Sequence, residues 1–199
     1  MRTGLLGGTF DPPHLGHLAL AAAAHHALHL DRVLFAPAGE PYRKASRLVS
    51  PPAARLRMVE AAVAHFPWAE VSTIDLDQPG PTYTAETLAR LATVGGDWWF
   101  IAGEDVLVDL PHWREPQRII EYARLAVASR PPLHGRIPAE TLAAVPGIEE
   151  RVDWIELPPL EVSSTELRRR VAAGESTELW LPETVREVVD RLGLYRGQG

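Results

Sequence analysis

Apolar residues along the chain follow two alternating periods. Short runs rich in branched and aromatic residues, typical of buried strands, occur at Thr3–Gly7, Arg32–Ala36, Glu70–Ile74, Trp98–Ala102, Leu125–Ser129 and Val152–Leu157. Segments with apolar residues at helical spacing occur at Leu15–Leu28, Pro51–His65, Thr84–Leu91, Pro116–Tyr122, Ser164–Ala173 and Pro182–Leu192. Strand and helix therefore alternate along most of the chain.

Residues at the ends of three predicted helices agree with these boundaries. Ser50 precedes Pro51, which predicts an N-cap followed by proline at the first helical position. Ser163 and Glu166 have the spacing of a capping box. Gly193 is expected to end the last helix, because glycine readily adopts the left-handed conformation found there.

Strands that alternate with helices need crossover connections, which build a parallel sheet. The pattern predicts an α/β fold: a Rossmann-like doubly wound parallel sheet with helices on both faces and a small C-terminal helical portion. The 199 residues fit one domain, 1–199, with no internal repeat or linker. The proline-rich segment 131–146 is expected to be a surface excursion. Ligands of such sheets bind beyond the carboxyl ends of the strands.

Charge and composition exclude several functional classes. The net charge of −6 argues against a broad nucleic-acid interface. The chain has no cysteine, which excludes disulfides, thiolate metal sites and a cysteine nucleophile. No stretch approaches the roughly 18–20 apolar residues of a membrane span, and the first residues do not resemble a signal peptide. We expect a soluble, cytoplasmic protein that binds neither nucleic acid nor membrane.

The densest cluster of candidate chemistry follows the first predicted strand, where the chain reads GGTFDPPHLGH. Gly7 and Gly8 let the backbone approach a ligand, and the start of the next helix favours an anion. His14 and His17 are three residues apart, so both rings can point the same way. Gly16 between them is expected to leave space for a flat or phosphorylated group. Together these features indicate a site for a phosphorylated group.

Each of these features also has an ordinary explanation. A diglycine after a strand is often only a turn. A histidine pair can bind a metal, although no third ligand stands nearby in a familiar pattern. His25, His26 and His29, later in the same helix, are expected to be surface or packing residues. The combination within eleven residues, rather than any single member, favours the phosphate site.

A second phosphate site is predicted where the helix after the last strand begins. Ser163, Ser164 and Thr165 offer hydroxyls and free amides together, which suits a polyphosphate. Arg168 lies one turn after Ser164 and can add a charge-assisted contact. The alternative is a plain helix cap with an exposed arginine run. The two arginines after Arg168 are expected to stay in solvent.

The two segments together resemble the signatures of the nucleotidyltransferase superfamily, GGTFDPxHxGH and SSTxxR. The resemblance implies that His14 and His17 surround the α-phosphate of ATP and that Arg168 acts with them in catalysis. It also implies a set of ATP-binding residues: Gly7, Gly8, Thr9, Phe10, Gly103, Asp105, Ser163, Ser164, Thr165 and Arg168.

The middle of the chain bears on the second substrate, which accepts the group transferred from ATP. Residues 82–88 open a helix, Asp105 follows a strand, where a carboxylate can accept hydrogen bonds from a ribose, and Trp113 can offer its face to an aromatic ring. This order resembles bacterial nicotinate-nucleotide adenylyltransferases nearly from end to end. The resemblance implies that Tyr83, Thr84 and Trp113 enclose a nicotinate ring. It also implies that Asp105 faces the adenosine ribose with Gly103, and that Arg130 lies near the nucleotides.

One loop departs from that family. A proline-histidine-lysine element is expected after the second strand, where it serves the acceptor phosphate, but Tyr42 stands here in place of histidine. Either Arg43 or Lys44 could supply the cation, and Lys44 is the only lysine among 20 basic residues. The alternative is a solvated loop with two incidental charges.

The resemblance implies Mg²⁺-dependent adenylyl transfer from ATP to nicotinate mononucleotide. Mg²⁺ would be held mainly by ATP phosphates and water, with no protein metal site, although Asp11 could help through water. Alternatives are nicotinamide mononucleotide or another small phosphorylated acceptor, and a nucleotide-binding regulator without turnover. The sequence leaves the oligomeric state open, a homo-oligomer included.

Overall fold

The computed structural model describes residues 1–39, 50–129, 135–158 and 160–196. The strands in these ranges are β1 Arg2–Gly8, β2 Arg32–Pro37, β3 Ala69–Val71, β4 Asp97–Gly103, β5 Arg124–Ser129 and β6 Val152–Glu156. The α-helices are α1 Leu15–Ala27, α2 Pro52–Val63, α3 Thr84–Ala92, α4 Asp105–Asp109, α5 Pro116–Tyr122, α6 Ala139–Ala144, α7 Ser164–Ala172 and α8 Glu183–Arg191. Two short 3₁₀ turns lie at Leu110–His112 and Ile148–Arg151.

All six strands join one parallel sheet in the order β3-β2-β1-β4-β5-β6. The chain builds outward from β1 in one direction, then returns to place β4 on the other side of β1. A crevice forms at such a reversal, outside the carboxyl ends of the two central strands. The loops after β1 and β4 therefore begin side by side. The predicted Rossmann-like parallel fold is confirmed.

Helices cover both faces of the sheet, as the alternation predicted. Leu6 and Trp99 pack with α1, α2, α7 and α8 on one face. Leu5 and Trp98 pack with α3, α4 and α5 on the other. Both tryptophans are buried, at 4% and 5% exposure. No helix in the described ranges combines the length and apolarity of a membrane crossing.

Two predicted elements differ from the structure. β3 was expected at Glu70–Ile74 but spans Ala69–Val71, because it is an edge strand that pairs with β2 over three residues only. The segment 131–146 was expected to be a surface excursion, yet it contains α6. The Thr141 side chain of α6 is fully buried and donates a hydrogen bond to the Leu107 carbonyl at 2.6 Å. α6 is therefore a surface helix that Thr141 anchors to the protein, and four of its six residues are exposed.

The predicted helix ends agree with the structure in two of three cases. Ser163 is the N-cap of α7, and Gly193 follows α8 with φ of 61°. Ser50 is not the N-cap of α2, because Pro51 occupies that position. The Ser50 amide instead donates to the Asp11 carboxylate at 3.1 Å. Ser50 thus joins two loops rather than capping a helix.

Candidate active site

The loop after β1 is shaped by contacts within the protein. A Cβ on Gly8 would lie 3.2 Å from the Phe10 ring, so the glycine allows that ring to cover the strand end. Phe10 has φ of 51° and is 1% exposed, with its ring 5.0 Å from the His17 ring and 6.0 Å from Phe35. The Phe10 side chain is part of the core. Its predicted contact with ATP would therefore have to come from its backbone.

The two histidines lie side by side at the start of α1, as their spacing predicted. His14 is the N-cap residue, and its backbone amide donates to Nδ1 of His17 at 3.1 Å. The rings stack with centroids 3.8 Å apart and 29° between their planes. Because Nδ1 of His17 accepts a hydrogen bond, the neutral ring carries its proton on Nε2. His17 is thereby set up to donate from Nε2 to an anion.

Gly16 serves packing rather than ligand access. A Cβ at this position would lie 2.9 Å from Val162 and 3.0 Å from the ring of His14. The loop before α7 and the histidine occupy the space that was expected to receive a phosphorylated group. That expectation was wrong, because a residue 146 positions along the chain folds onto the glycine.

The start of α7 lies directly against this loop. Ser164 donates from its hydroxyl to the Pro12 carbonyl at 2.9 Å. Arg168 donates to the Asp11 carbonyl at 2.7 Å and to the Thr165 hydroxyl at 3.3 Å. The two predicted phosphate-binding segments therefore meet in space although more than 150 residues separate these partners.

Asp11 anchors the loop from within the protein. It is 3% exposed, and its carboxylate accepts from the Tyr195 hydroxyl at 2.6 Å and from the Ser50 amide. Burial, reinforced by the Asp11 charge, raises the pKa of Tyr195 well above its usual range, so the phenol remains a donor. This geometry gives no support to the water-mediated metal role expected for Asp11.

Arg55 is a site-forming residue that the sequence reasoning missed. It is 1% exposed and donates to three carbonyl groups: Ser50 at 3.1 Å, Thr9 at 3.0 Å and Gly39 at 2.9 Å. Burial lowers its pKa, and the negative charge of Asp11 opposes this shift. One guanidinium thus ties the loop after β1 to the two chain segments that flank residues 40–49.

The signal for Arg55 was present in the helical pattern. Arg55 precedes Met58, Val59 and Ala62 by three, four and seven residues, so it lies on the buried face of α2. A charged residue on an apolar helix face is rarely buried without specific partners. Its identity alone could not indicate which carbonyl groups it binds.

A cavity of about 250 Å³ opens between the loop after β1 and the start of α3. Trp113 forms part of its wall and packs edge-on against Phe100 at 5.9 Å. The structure thus brings the residues predicted to bind the acceptor substrate, Tyr83, Thr84 and Trp113, close to the loop after β1. The full set of described lining residues is Gly7, Gly8, Thr9, Ala38, Asp75, Thr82, Tyr83, Thr84, Phe100, His112, Trp113 and Arg114.

Asp75 is a lining residue that the sequence did not single out. Its carboxylate accepts from the Thr87 hydroxyl at 2.6 Å and from Arg90 at 3.1 Å. Burial raises the pKa of Asp75, while the bond from Thr87 and the charge of Arg90 oppose that shift. The charge of the Asp75 carboxylate is therefore compensated by neighbouring protein side chains.

The carboxyl end of β4 holds the residues expected at the ribose. Asp105 is exposed at the first position of α4, and its carboxylate lies 2.6 Å from where a Cβ of Gly103 would stand. The glycine therefore makes room for the aspartate. The neighbouring Glu104 is buried and accepts from the Gly135 amide at 2.6 Å, a contact that the sequence did not indicate.

The predicted residues thus form two neighbouring groups. Tyr83, Thr84 and Trp113 line the cavity, whereas the histidine pair and the start of α7 lie on the far part of the same loop. Three residues with predicted ligand contacts lie outside the described residues, namely Arg43, Lys44 and Arg130, and so does Tyr42. His25 stacks on Trp68 at 4.8 Å, which is the packing role expected for it.

Comparisons with known proteins identify the family of the chain. A family model described as cytidylyltransferase-like matches residues 5–170. A protein of Roseiflexus sp. (strain RS-1) named "Probable nicotinate-nucleotide adenylyltransferase" is 47% identical over 97% of this chain and 97% of its own. A protein of Thermus thermophilus with the same name is 42% identical over 98% of this chain and 100% of its own.

Solved structures share the fold. Two are of a Plasmodium falciparum nicotinic acid mononucleotide adenylyltransferase. The complex with APC has a TM-score of 0.74 at 15% identity and covers 98% of each chain. The complex with NaAD has a TM-score of 0.75 at 16% identity, over 97% of this chain and 96% of that one. Because the family model and the bacterial relatives extend over most of the chain, this protein belongs to the nicotinate-nucleotide adenylyltransferase family of cytidylyltransferase-like proteins.

Proposed function

We propose that this protein transfers the adenylyl group of ATP to nicotinate mononucleotide, yielding nicotinate adenine dinucleotide and pyrophosphate, a step of NAD biosynthesis. The observation that carries the proposal is the cavity that joins the glycine loop to Tyr83, Thr84 and Trp113. The names of the bacterial relatives and the ligands of the structural neighbours support this choice of substrates.

The cavity suits a flat ring with an anionic substituent. Tyr83 and Trp113 supply aromatic surface, and α3 begins at the cavity wall with Thr84. The first amides of a helix have no partner within the helix and carry the positive end of its dipole. A pyridine carboxylate placed there would contact the aromatic side chains with its ring and the first amides of α3 with its carboxylate.

The reaction itself needs positioning more than proton transfer. An oxygen of the acceptor 5′-phosphate attacks the α-phosphorus of ATP and forms the new phosphorus–oxygen bond. The bond between the α-phosphorus and the oxygen that bridges to the β-phosphorus breaks, and pyrophosphate leaves with that electron pair. Because the attacking phosphate is already ionised, no general base is needed. Catalysis then rests on alignment and on stabilising negative charge.

Residues of the two phosphate-binding segments supply that stabilisation. His17, with Nε2 as its donor, and His14 stabilise the α-phosphate as charge grows on its oxygens. Ser164 and Thr165, at the start of α7, hold the departing pyrophosphate together with Arg168. Arg168 uses one of its five N–H groups to hold the loop at the Asp11 carbonyl and another on the Thr165 hydroxyl within α7, which leaves others for phosphate oxygens.

Mg²⁺ is expected to enter the site with ATP. Within the described ranges, no group of three His, Asp or Glu side chains is placed to hold a metal ion. ATP phosphates and water suit Mg²⁺, which prefers oxygen ligands and keeps much of its hydration. When bound, the ion neutralises phosphate charge.

Pyrophosphate release tests the proposal directly. Purified protein is incubated with ATP and Mg²⁺ and with one acceptor at a time: nicotinate mononucleotide, nicotinamide mononucleotide or phosphopantetheine. Release with nicotinate mononucleotide at the highest kcat/KM is the expected result. Release only with another acceptor would overturn the substrate assignment, and ATP binding without release from any acceptor would favour a regulator.

Replacing Trp113 with alanine should raise the KM for the acceptor by about tenfold, the equivalent of one lost aromatic contact, and change the KM for ATP much less. Trp113 lines the cavity, whereas the histidine pair and the residues at the start of α7 do not. Steady-state kinetics with each substrate varied in turn measures the two effects. Trp154→Ala, which removes an exposed tryptophan of β6, is the control. Equal effects on both KM values would remove Trp113 from the acceptor pocket.

Replacing Lys44 with alanine should weaken acceptor binding by about tenfold, because a charge-assisted contact to the 5′-phosphate is lost. Arg43→Ala is the matched variant, since either residue could supply the cation. The KM for nicotinate mononucleotide is measured for both variants. A larger effect in Arg43→Ala would assign the phosphate contact to that residue instead.

A further inference from the structure

The cavity contains a charge that its aromatic walls do not explain. Arg114 follows Trp113 directly and lines the cavity with it. Among the described lining residues, Arg114 alone carries a permanent positive charge. The guanidinium carbon of Arg114 lies 4.6 Å from the centre of the Tyr83 ring. This places the charge beside the start of α3, where the helix dipole is also positive.

Arg114 is not locked into this position by its neighbours. Its one ion pair in the described structure joins it to Glu86 at 3.6 Å, and the two side chains are 55% and 43% exposed. Exposed ion pairs of this kind contribute little, and the contact is long for a charge-assisted hydrogen bond. The guanidinium can therefore turn away from Glu86 toward an anion in the cavity.

The only negative side chain among the described lining residues does not compete for Arg114. The carboxylate of Asp75 is bonded to Thr87 and Arg90 within the wall. An acceptor anion that enters the cavity would therefore meet one compensated negative charge and one available positive charge. The balance of charge favours a negatively charged ring substituent.

We propose that Arg114 is a specificity-determining residue that favours an acceptor ring bearing a carboxylate over the same ring bearing an amide. The inference rests on the proposed function and names how this cavity selects between two acceptors. The carboxylate and the amide have nearly the same shape, so packing against Tyr83 and Trp113 cannot separate them. A difference in charge can, because a positive group stabilises one and leaves the other almost unaffected.

The test compares kcat/KM for nicotinate mononucleotide and nicotinamide mononucleotide. Arg114→Ala should lower the value for the acid by about tenfold or more and leave the value for the amide nearly unchanged, since a hydrogen bond to a charged group is lost only with the acid. Arg114→Lys keeps the charge and should retain part of the preference. Arg118→Ala removes a nearby arginine that does not line the cavity and should leave the ratio as in the wild type.

The ratio of the two values separates selectivity from a merely structural role. If Arg114 only supported Tyr83, both acceptors would lose activity equally and the ratio would not change. An unchanged ratio in an active Arg114→Ala enzyme would overturn the inference and leave the proposed function standing. Wild-type protein that releases no pyrophosphate with nicotinate mononucleotide would instead overturn the proposed function.

Discussion

Replacing His17 with alanine is expected to lower kcat by about 10²–10³-fold, equivalent to roughly 2.7–4 kcal/mol of lost transition-state stabilisation, as for a removed oxyanion donor. The reason is the orientation of the ring. Its Nδ1 accepts from the His14 backbone, so Nε2 is the atom that donates. Single-turnover measurement of pyrophosphate release checks the effect on the chemical step. Near-normal turnover would contradict the assigned role.

A second variant separates this role from the helix cap. The His17 side chain also completes a capping box with His14, so alanine should cost about 0.5–2 kcal/mol of stability as well. His17→Asn keeps an oxygen near the position of Nδ1 and lacks Nε2. The His17→Asn variant should fold with near-wild-type stability, and its kcat should fall as far as that of His17→Ala. His26→Ala, on the exposed side of the same helix, should change neither quantity.

Replacing Arg55 with methionine is expected to lower the free energy of unfolding by about 3–5 kcal/mol, the range seen when one member of a buried charged network is removed. Methionine replaces the aliphatic part of the arginine side chain and removes the guanidinium, so the loss comes mainly from the missing charged group. Three carbonyl groups lose their donor, and the buried Asp11 carboxylate loses a compensating charge. Urea denaturation followed by circular dichroism measures the change.

A matched variant lies two residues away on the same helix. Arg57 is exposed, and Arg57→Met should change the free energy of unfolding by less than about 0.5 kcal/mol. Arg55→Lys keeps a charge but lacks the planar fork that reaches three carbonyl groups, so its loss should be intermediate. Equal stabilities of Arg55→Met and Arg57→Met would show that the buried guanidinium does not hold these loops.

The fold was predictable because its signals are local. Alternating periods placed all six strands, and the order of strands and helices led to a parallel sheet covered on both faces. The missed elements, α4 and α6, have five and six residues, which is too short for a helical period to be visible. The length of the edge strand β3 was overestimated because β3 pairs with its one neighbour over three residues only, and the pairing ends at Phe35 although β2 continues to Pro37.

The candidate site was predictable only in part. The histidine pair and the start of α7 form recognisable short motifs. Gly16 and Phe10 stand inside such a motif, yet both serve internal packing: other residues pack closely against Gly16, and the Phe10 ring is buried. Arg55, in contrast, belongs to no motif that we identified, and its importance depends on carbonyl groups up to 46 residues away. Partners brought together by the tertiary fold cannot be read from local spacing.

The bond from the Tyr195 hydroxyl to Asp11 has a consequence for the timing of assembly. It joins residues 184 positions apart, so the chain between them must be made before the bond can form. While the protein is being synthesised, the GGTFD loop leaves the ribosome early and stays without this anchor until Tyr195 emerges. A nascent chain can therefore build β1 and its neighbours first, but it acquires the finished loop only after Tyr195 has left the ribosome.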